Sequence, residues 1–415
     1  MTDVERAIAD AYRREWAFVL AATVRVTHDL DLAEELVQEA FVSALDGWRR
    51  TGVPARPGAW LTTIARRKAT DHFRRQEAFR SRIPLLVEPD VTEMDDLDAL
   101  VAGETIPDDR LRLIFTCCHP VLPREAQIAL TLRLVCGVGT GDIARAFLVP
   151  EATMAARITR AKKKISAAGV PYRVPAASEL PDRLDAVLTV IHLLFTTGHT
   201  APSGDALVRD DLVDRALGLA RLLRELMPDE RQVWGLLALL LVTDARRATR
   251  TDADGRILLL EEQDRTRWDR AAIAEGHQLV LDAMRAGRPG KFVLQAAIAS
   301  LHAQAPSYAE TDWAQVVVLY DELLKVWPSP VVSLNRAIAV SMVDGPETAL
   351  GELEVLEDDG RLDGYHYLPA AKADLLRRLG RTAEAATAYR AALDLADNDA
   401  ERAFLAGRLD EATAA

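Results

Sequence analysis

The sequence has only three cysteines, few aromatic residues and no apolar run long enough to cross a membrane. Cys117, Cys118 and Cys136 are an odd number, and adjacent cysteines rarely pair, so no disulfide framework is implied. The run Cys117-Cys118-His119 lacks a second ligand pair at a metal-like spacing. Two interpretations remain: structural burial of the cysteines, or a role in metal binding or thiol sensing. We expect burial, and therefore predict neither a metal nor a cofactor.

Signals for secretion or membrane insertion are also missing. The first residues, MTDVERAIADAYRRE, carry charges where a signal peptide needs an apolar core. The strongly apolar stretch from Val233 to Val242 is too short for a bilayer and predicts a buried helix. We therefore expect a cytoplasmic protein that makes no contact with a membrane.

The composition and the distribution of charge indicate several helical domains with different partners. With 415 residues, 49% hydrophobic and 6% aromatic, the chain favours a mainly helical protein of two or three domains. Residues 1–172 carry 24 basic and 24 acidic residues, whereas residues 173–415 carry 27 and 39, so the net charge of −12 lies in the second part. The basic residues of the first part cluster at 66–82 and 157–164, as phosphate binding requires.

The segment from Gly139 to Ile165 has the pattern of a helix-turn-helix. A short helix at 142–147 and a turn at 148–150 precede a second helix at 151–164, with Met154, Ile158, Ala161 and Ile165 on its buried face. An ordinary amphipathic helix with a solvated basic face is the alternative. The second helix has small and cationic residues on its outer face that suit the major groove of DNA. These predicted DNA-binding residues are Thr153, Ala156, Arg157, Arg160 and Lys164.

A second functional segment lies nearer the N-terminus. The pattern predicts an apolar-striped helix that ends at Gly47, a loop from Trp48 to Gly58, and a basic helix from Ala59 to about Gln76. The outward side chains Glu34, Glu35, Gln38 and Glu39 offer acceptors to a basic partner, although such faces are often simply solvated. In the basic helix, aromatic residues serve either as a platform for a flipped base or as core. Its predicted DNA contacts are Trp60, Arg66, Arg67, Asp71, Arg74 and Arg75.

Together the two segments resemble the bacterial RNA polymerase sigma factors of the extracytoplasmic-function (ECF) class. Glu35-Leu36-Val37-Gln38-Glu39-Ala40-Phe41 is similar to the region 2 helix that docks on polymerase, and the basic helix to the one that meets the −10 element. The helix-turn-helix resembles region 4, which reads the −35 element. The resemblance implies core RNA polymerase and promoter DNA as partners, and no enzymatic activity.

The C-terminal part contains a repeat and resembles a narrower subgroup. The segment from Arg336 aligns with that from Lys372 at an offset of 36 residues, close to a tetratricopeptide (TPR) period. Gly380 falls at the predicted inter-helix turn, and the small and large knobs of the hairpin are Ala385, Tyr389 and Ala392. Stretches such as RLIFTCCHP and PSPVVSLNRAIAV resemble ECF sigma factors with a TPR-like extension. That likeness implies control by the extension and a small DGPF/YCII-like protein as an associate.

We therefore predict an all-α protein with two small helical sigma domains followed by a TPR-like array. The predicted boundaries are 1–82 for region 2, 83–108 for an acidic linker, 109–170 for region 4 and 175–415 for the extension. One alternative is a helix-turn-helix regulator with a TPR-like interaction scaffold, which has no need of the region 2 segment. Another is an enzyme that uses His192, His199 or His302, but the sequence has no nucleophile elbow, phosphate loop or paired metal motif.

Overall fold

The computed structural model describes residues 3–80, 109–147, 149–176, 178–201 and 207–414. Across these ranges the chain is helical, with one isolated β-bridge between Thr251 and Ile257, so the predicted all-α class is confirmed. The chain divides into two compact units, residues 1–190 and 191–415. Within the described ranges, no helix combines the length and the apolar character that a bilayer crossing needs.

The first unit contains seven complete helices among its described residues. Three come before residue 81 and four after residue 108, and the predicted acidic linker falls in the interval outside the described residues. The helices are α1 (Asp3–Thr27), α2 (Leu30–Thr51), α3 (Pro57–Arg80), α4 (Asp109–Cys117), α5 (Arg124–Leu134), α6 (Thr140–Ala146) and α7 (Glu151–Ala167). Helix α8 (Leu180–His199) begins in this unit and ends in the second.

Helix α2 is longer than the sequence pattern suggested. The Asp29 carboxylate caps its first turn by accepting hydrogen bonds from the backbone N–H groups of Asp31 and Leu32, at 2.7 and 2.9 Å. The predicted end at Gly47 is wrong, because the helix continues to Thr51 and ends at Gly52, whose φ is +81°. Only 1% of Trp48 is exposed, and burial of its indole favours an additional helical turn over the predicted loop.

Helices α1 and α2 contact the helices that follow residue 108. Trp16 of α1 is 1% exposed, and its indole N–H donates to the carbonyl of Leu134 at the end of α5, at 3.0 Å. The Tyr172 hydroxyl donates to the carbonyls of Ala21 and Asp109, at 3.0 and 3.3 Å. The two predicted small domains therefore share one compact unit.

The second unit is a succession of helices, most of which pack against the next helix along the chain. After the end of α8 it contains α9 (Asp210–Leu226), α10 (Arg231–Asp244), α11 (Arg270–Arg285), α12 (Lys291–Gln304), α13 (Trp313–Val326), α14 (Pro330–Val343), α15 (Pro346–Asp359), α16 (Tyr367–Arg378), α17 (Thr382–Leu395) and α18 (Asp399–Ala414). The apolar stretch from Val233 to Val242 lies in α10 and is mostly buried, as predicted.

The predicted repeat corresponds to two helical hairpins, α14–α15 and α16–α17. Gly380 occupies the α16–α17 turn with φ +74°, a left-handed conformation that favours glycine. The predicted knobs Ala385, Tyr389 and Ala392 are all buried. The array also returns on itself, because the Asn398 side chain, just before α18, donates to the carbonyl of Ala201 at 3.1 Å.

Candidate nucleic-acid interface

Helix α7 presents a continuous polar face to solvent. Met154, Ile158, Ala161 and Ile165 are buried, as predicted, and hold the helix against its own unit. The opposite face exposes Thr153, Ala156, Arg160 and Lys164. These small and cationic side chains leave the helix narrow enough to approach a groove, with positive charge toward its C-terminal end.

Arg157 differs from the other predicted residues of this face. Its side chain is 23% exposed, and its guanidinium lies 3.3 Å from a carboxylate oxygen of Glu125 in α5. The guanidinium carbon also lies 6.0 Å from the centre of the Phe147 ring, at the outer limit of a cation–π contact. Arg157 is therefore already engaged by its own unit, whereas the Arg160 side chain donates a hydrogen bond to the carbonyl of Ala156 in the same helix.

Helix α3 carries most of its predicted DNA contacts on an exposed surface. Arg67, Asp71, Arg74 and Arg75 are exposed, and Arg66 is half-buried. Trp60 is also half-buried and stacks edge-on against Trp48, with ring centres 5.8 Å apart. The indole of Trp60 thus takes part in packing and still has an accessible surface.

The acidic residues of α2 do not share one environment. Glu35, Gln38 and Glu39 are exposed, and Glu39 forms an ion pair with Lys68 of α3 at 2.8 Å. The prediction that Glu34 faces outward is wrong, since only 6% of it is exposed. Its carboxylate turns toward α5 and α7, where two basic side chains compensate the cost of burying the charge.

The Glu34 carboxylate lies at the centre of an ion-pair network that joins α2 to α5 and α7. One of its oxygens pairs with Arg133 of α5. The other lies 2.6 Å from Nζ of Lys162 in α7, and the same Nζ lies 2.8 Å from a carboxylate oxygen of Asp31. Burial alone would lower the pKa of Lys162, but the hydrogen bonds that its ammonium group donates to Asp31 and Glu34 outweigh burial and raise the pKa.

Sequence reasoning treated Lys162 as one member of a basic cluster and did not single out Arg133. The position of Lys162 indicates that it is close to the buried face of α7, because it follows Ile158 by four residues. Its partners are 128 and 131 residues away in sequence, and no local pattern identifies them.

The cysteines have the surroundings of structural residues. Cys117 and Cys118 are buried, and burial is the main cause that raises the pKa of the Cys118 thiol to about 11. The pKa of Cys117 is likewise raised, chiefly by burial. Both thiols are thus protonated at neutral pH, and the described residues contain no cluster of side chains suited to hold a metal.

Comparison with known proteins identifies three segments. The model of Sigma-70 region 2 matches residues 11–79, and that of Sigma-70 region 4 matches residues 112–165. A family of unknown function, DUF6596, matches residues 183–284. The two Sigma-70 segments contain α2, α3 and the helix-turn-helix, which together carry every predicted contact residue.

Individual relatives agree with these matches. An uncharacterized protein from Rhizobium meliloti is 45% identical over 95% of this chain and 93% of its own length. The RNA polymerase sigma-H factor of Pseudomonas aeruginosa is 30% identical over 37% of this chain and 81% of its own length. The ECF RNA polymerase sigma factor SigJ of Mycobacterium tuberculosis is 29% identical over 49% of this chain and 70% of its own length.

Proposed function

Because the chain belongs to the ECF-type RNA polymerase sigma factors, we propose that it binds core RNA polymerase and directs transcription from promoters with −10 and −35 elements. Members of this family are initiation factors and not enzymes. The main support is the placement of exposed basic residues on two separate helices, α3 and α7, each inside a different Sigma-70 segment.

Each helix has a distinct role in this proposal. Helix α7 enters the major groove at the −35 element, with Thr153 and Ala156 near base edges and Arg157, Arg160 and Lys164 on bases or phosphates. Helix α3 binds the −10 element, where Arg66, Arg67, Asp71, Arg74 and Arg75 contact the strand and Trp60 stacks on an unpaired base. Glu34, Glu35, Gln38 and Glu39 of α2 bind basic side chains of polymerase.

The buried Glu34 network adds a conformational requirement. A carboxylate that pairs with Arg133 and Lys162 is unavailable to a cation of polymerase. We infer that α7 separates from α2 when the protein binds polymerase, and that the described arrangement is a resting state. The C-terminal extension controls this transition in our proposal, either alone or with a small DGPF/YCII-like protein.

The decisive experiment is reconstituted transcription from a library of promoter fragments, with bacterial core polymerase and the full chain. We expect initiation that depends on the added chain, and a fall in promoter affinity with rising salt because phosphate contacts release counterions. DNA binding without initiation would instead support the helix-turn-helix regulator.

Substitution of Arg160 by alanine tests the role of α7 in the same assay. We expect a loss of about 1 to 3 kcal/mol in promoter affinity, confined to one position of the −35 element if Arg160 reads a base. Arg285→Ala is the matched control, because Arg285 is 69% exposed in the second unit and far from either Sigma-70 segment in sequence. Equal loss for every DNA sequence would assign Arg160 to a phosphate, and no loss would remove it from the interface.

A further inference from the structure

The second unit contains a cavity of about 460 Å³, a size typical of small-molecule sites. It lies between α8, α10, α12, α13 and α14 and the segment that joins α10 to α11. Its wall is largely apolar and includes the aromatic rings of Trp268, Tyr320 and Trp327. Flat rings around a partly enclosed space suit a planar or aromatic ligand.

One cation in this wall has no acidic partner. Among the described residues, the Arg246 guanidinium makes no hydrogen bond or ion pair, and the residues that line the cavity include no Asp or Glu. Burial lowers the pKa of Arg246 to about 10, so the side chain is still charged at neutral pH. The neighbouring Arg247 has three carboxylate partners, Asp210, Asp214 and Asp244, at 2.9, 2.9 and 2.7 Å.

Two other arginines near the cavity donate hydrogen bonds to neutral acceptors. Arg265 donates to the carbonyls of His302 and Ala305, at 2.7 and 2.8 Å, and Arg250 donates to the Thr200 hydroxyl at 3.0 Å. Burial, followed by the charges of Arg246 and Arg265, lowers the pKa of His302 to about 4. The site therefore keeps a positive potential from arginines inside a unit whose overall composition is acidic.

Polar groups in the wall are also available for recognition. Within the described part of the chain, the Tyr320 hydroxyl and the Asn335 amide have no hydrogen-bond partner, although both residues line the cavity. The Nδ1 atom of His302 is buried and likewise has none. Buried polar groups normally find a partner, so the His302 Nδ1 atom points to a component that occupies the cavity, while half-buried Tyr320 and exposed Asn335 offer polar groups at its wall.

We propose that this cavity binds a small organic anion with a flat aromatic or apolar body. Its carboxylate, sulfonate or similar group pairs with Arg246, its body lies against Trp268 and Trp327, and Tyr320 and Asn335 supply further hydrogen bonds. This site is distinct from the DNA-binding helices, and binding is measurable without transcription. Its failure would therefore leave the proposed sigma activity unaffected.

Two fluorescent probes of nearly the same shape test the proposal on the full chain. Anilinonaphthalene sulfonate carries one anionic group, whereas N-phenylnaphthylamine has the same aromatic body without it. We expect saturable binding of both at one site, detected by energy transfer from tryptophan, with the anion bound at least about tenfold more tightly. Absence of saturable binding by the anionic probe would overturn the proposal.

Three variants locate the site and identify the role of the charge. Arg246→Gln should remove the preference for the anion and leave N-phenylnaphthylamine binding unchanged, while Ala299→Phe should fill the cavity and weaken both probes. Arg256→Gln is the matched control, because Arg256 is exposed in a surface turn. A preference for the anion that survives Arg246→Gln, or falls equally with Arg256→Gln, would refute the assignment.

Thermal unfolding separates a ligand-binding arginine from a structural one. An arginine without partners contributes little to the stability of the unliganded protein, so Arg246→Gln should leave the melting temperature unchanged or raise it. A clear decrease would indicate a structural role for Arg246 and count against the site. Should Ala299→Phe fail to fold, the comparison of the two probes on Arg246→Gln still decides the question.

Discussion

Lys162 in the first unit is buried and Arg246 in the second is half-buried, but only Lys162 has carboxylate partners. Lys162 is 7% exposed and pairs with Glu34 and Asp31 across two helices that are distant in sequence. Arg246 faces a cavity whose lining residues include no acid. A charge removed from water without a partner is costly, so the two sites imply different roles.

The presence or absence of a carboxylate partner distinguishes the internal contact of the first unit from the binding site of the second. In the first unit the charges compensate one another, and the result is a defined arrangement of α2, α5 and α7. In the second unit the compensation is incomplete until an anion binds. The role of each basic group therefore depends on its anionic partner, which lies inside the chain for Lys162 and outside it for Arg246.

Glu34→Gln should have the largest effect on the stability of the first unit. The substitution keeps the shape of the side chain but leaves Arg133 and Lys162 without their shared charge partner. Loss of one member of a buried ion pair costs about 3 kcal/mol or more. We expect this loss in the free energy of unfolding by urea, together with faster amide hydrogen exchange in α2 and α7.

Glu35→Gln is the matched control, since Glu35 is exposed on the same helix and should change stability by less than about 0.5 kcal/mol. Lys162→Met removes the charge from α7 and keeps Glu34 intact. Under our proposal it should release the resting state and increase transcription. Unchanged exchange in both helices after Glu34→Gln would show that the network does not hold them together.

The second unit should lose stability as the pH falls, because buried histidines must remain neutral. Burial is the largest cause that lowers the pKa of His192 and His302 to about 4 and that of His199 to about 2, from an ordinary value of 6.5. Nearby Lys291 lowers the pKa of His192 further, and nearby arginines lower the pKa values of His199 and His302.

The unfolded chain takes up protons that the folded histidines do not, so their stabilising effect is complete above the unfolded pKa and is lost as the pH falls below it. Between about pH 7.5 and about pH 5.5 we expect a loss of about 1 kcal/mol for each histidine. Urea titrations at several pH values measure it. His302→Gln should reduce the slope, and an unchanged slope would contradict the role we assign to its burial.

Glu275→Gln should have the smallest effect, although its ion pair has good geometry. Glu275 of α11 accepts two hydrogen bonds from Arg221 of α9, at 2.8 and 2.9 Å, but the two side chains are 43% and 50% exposed. Exposed pairs contribute about 0.5 kcal/mol, and salt screens them. A loss as large as that of Glu34→Gln, measured under the same conditions, would contradict the importance we assign to burial.

The sequence identified the helix-turn-helix well because its evidence is local. The buried stripe of α7, from Met154 to Ile165, follows the helical period, and the structure buries all four predicted residues. Gly380 was recognised for a similar reason, since a turn between helices needs a residue that tolerates positive φ. In both cases neighbouring residues along the chain determine the conformation.

The end of α2 and the position of Glu34 were not accessible to that reasoning. Nearby residues alone predict that the helix ends at Gly47, but burial of Trp48 favours its continuation to Thr51. Glu34 has the acidic neighbours of a solvated face, and its basic partners come from α5 and α7. The exposure of Arg67, Asp71, Arg74 and Arg75 in α3 agrees with their proposed role.

The sequence by itself determined the all-α class, the helix-turn-helix, the repeat and the unequal distribution of charge, because each depends on composition or on spacing along the chain. Only the tertiary structure decided that Lys162 meets Glu34 and that Arg246 faces an apolar cavity without an acid. Electrostatic energy depends on distance and burial, and both are set when segments far apart in sequence come together.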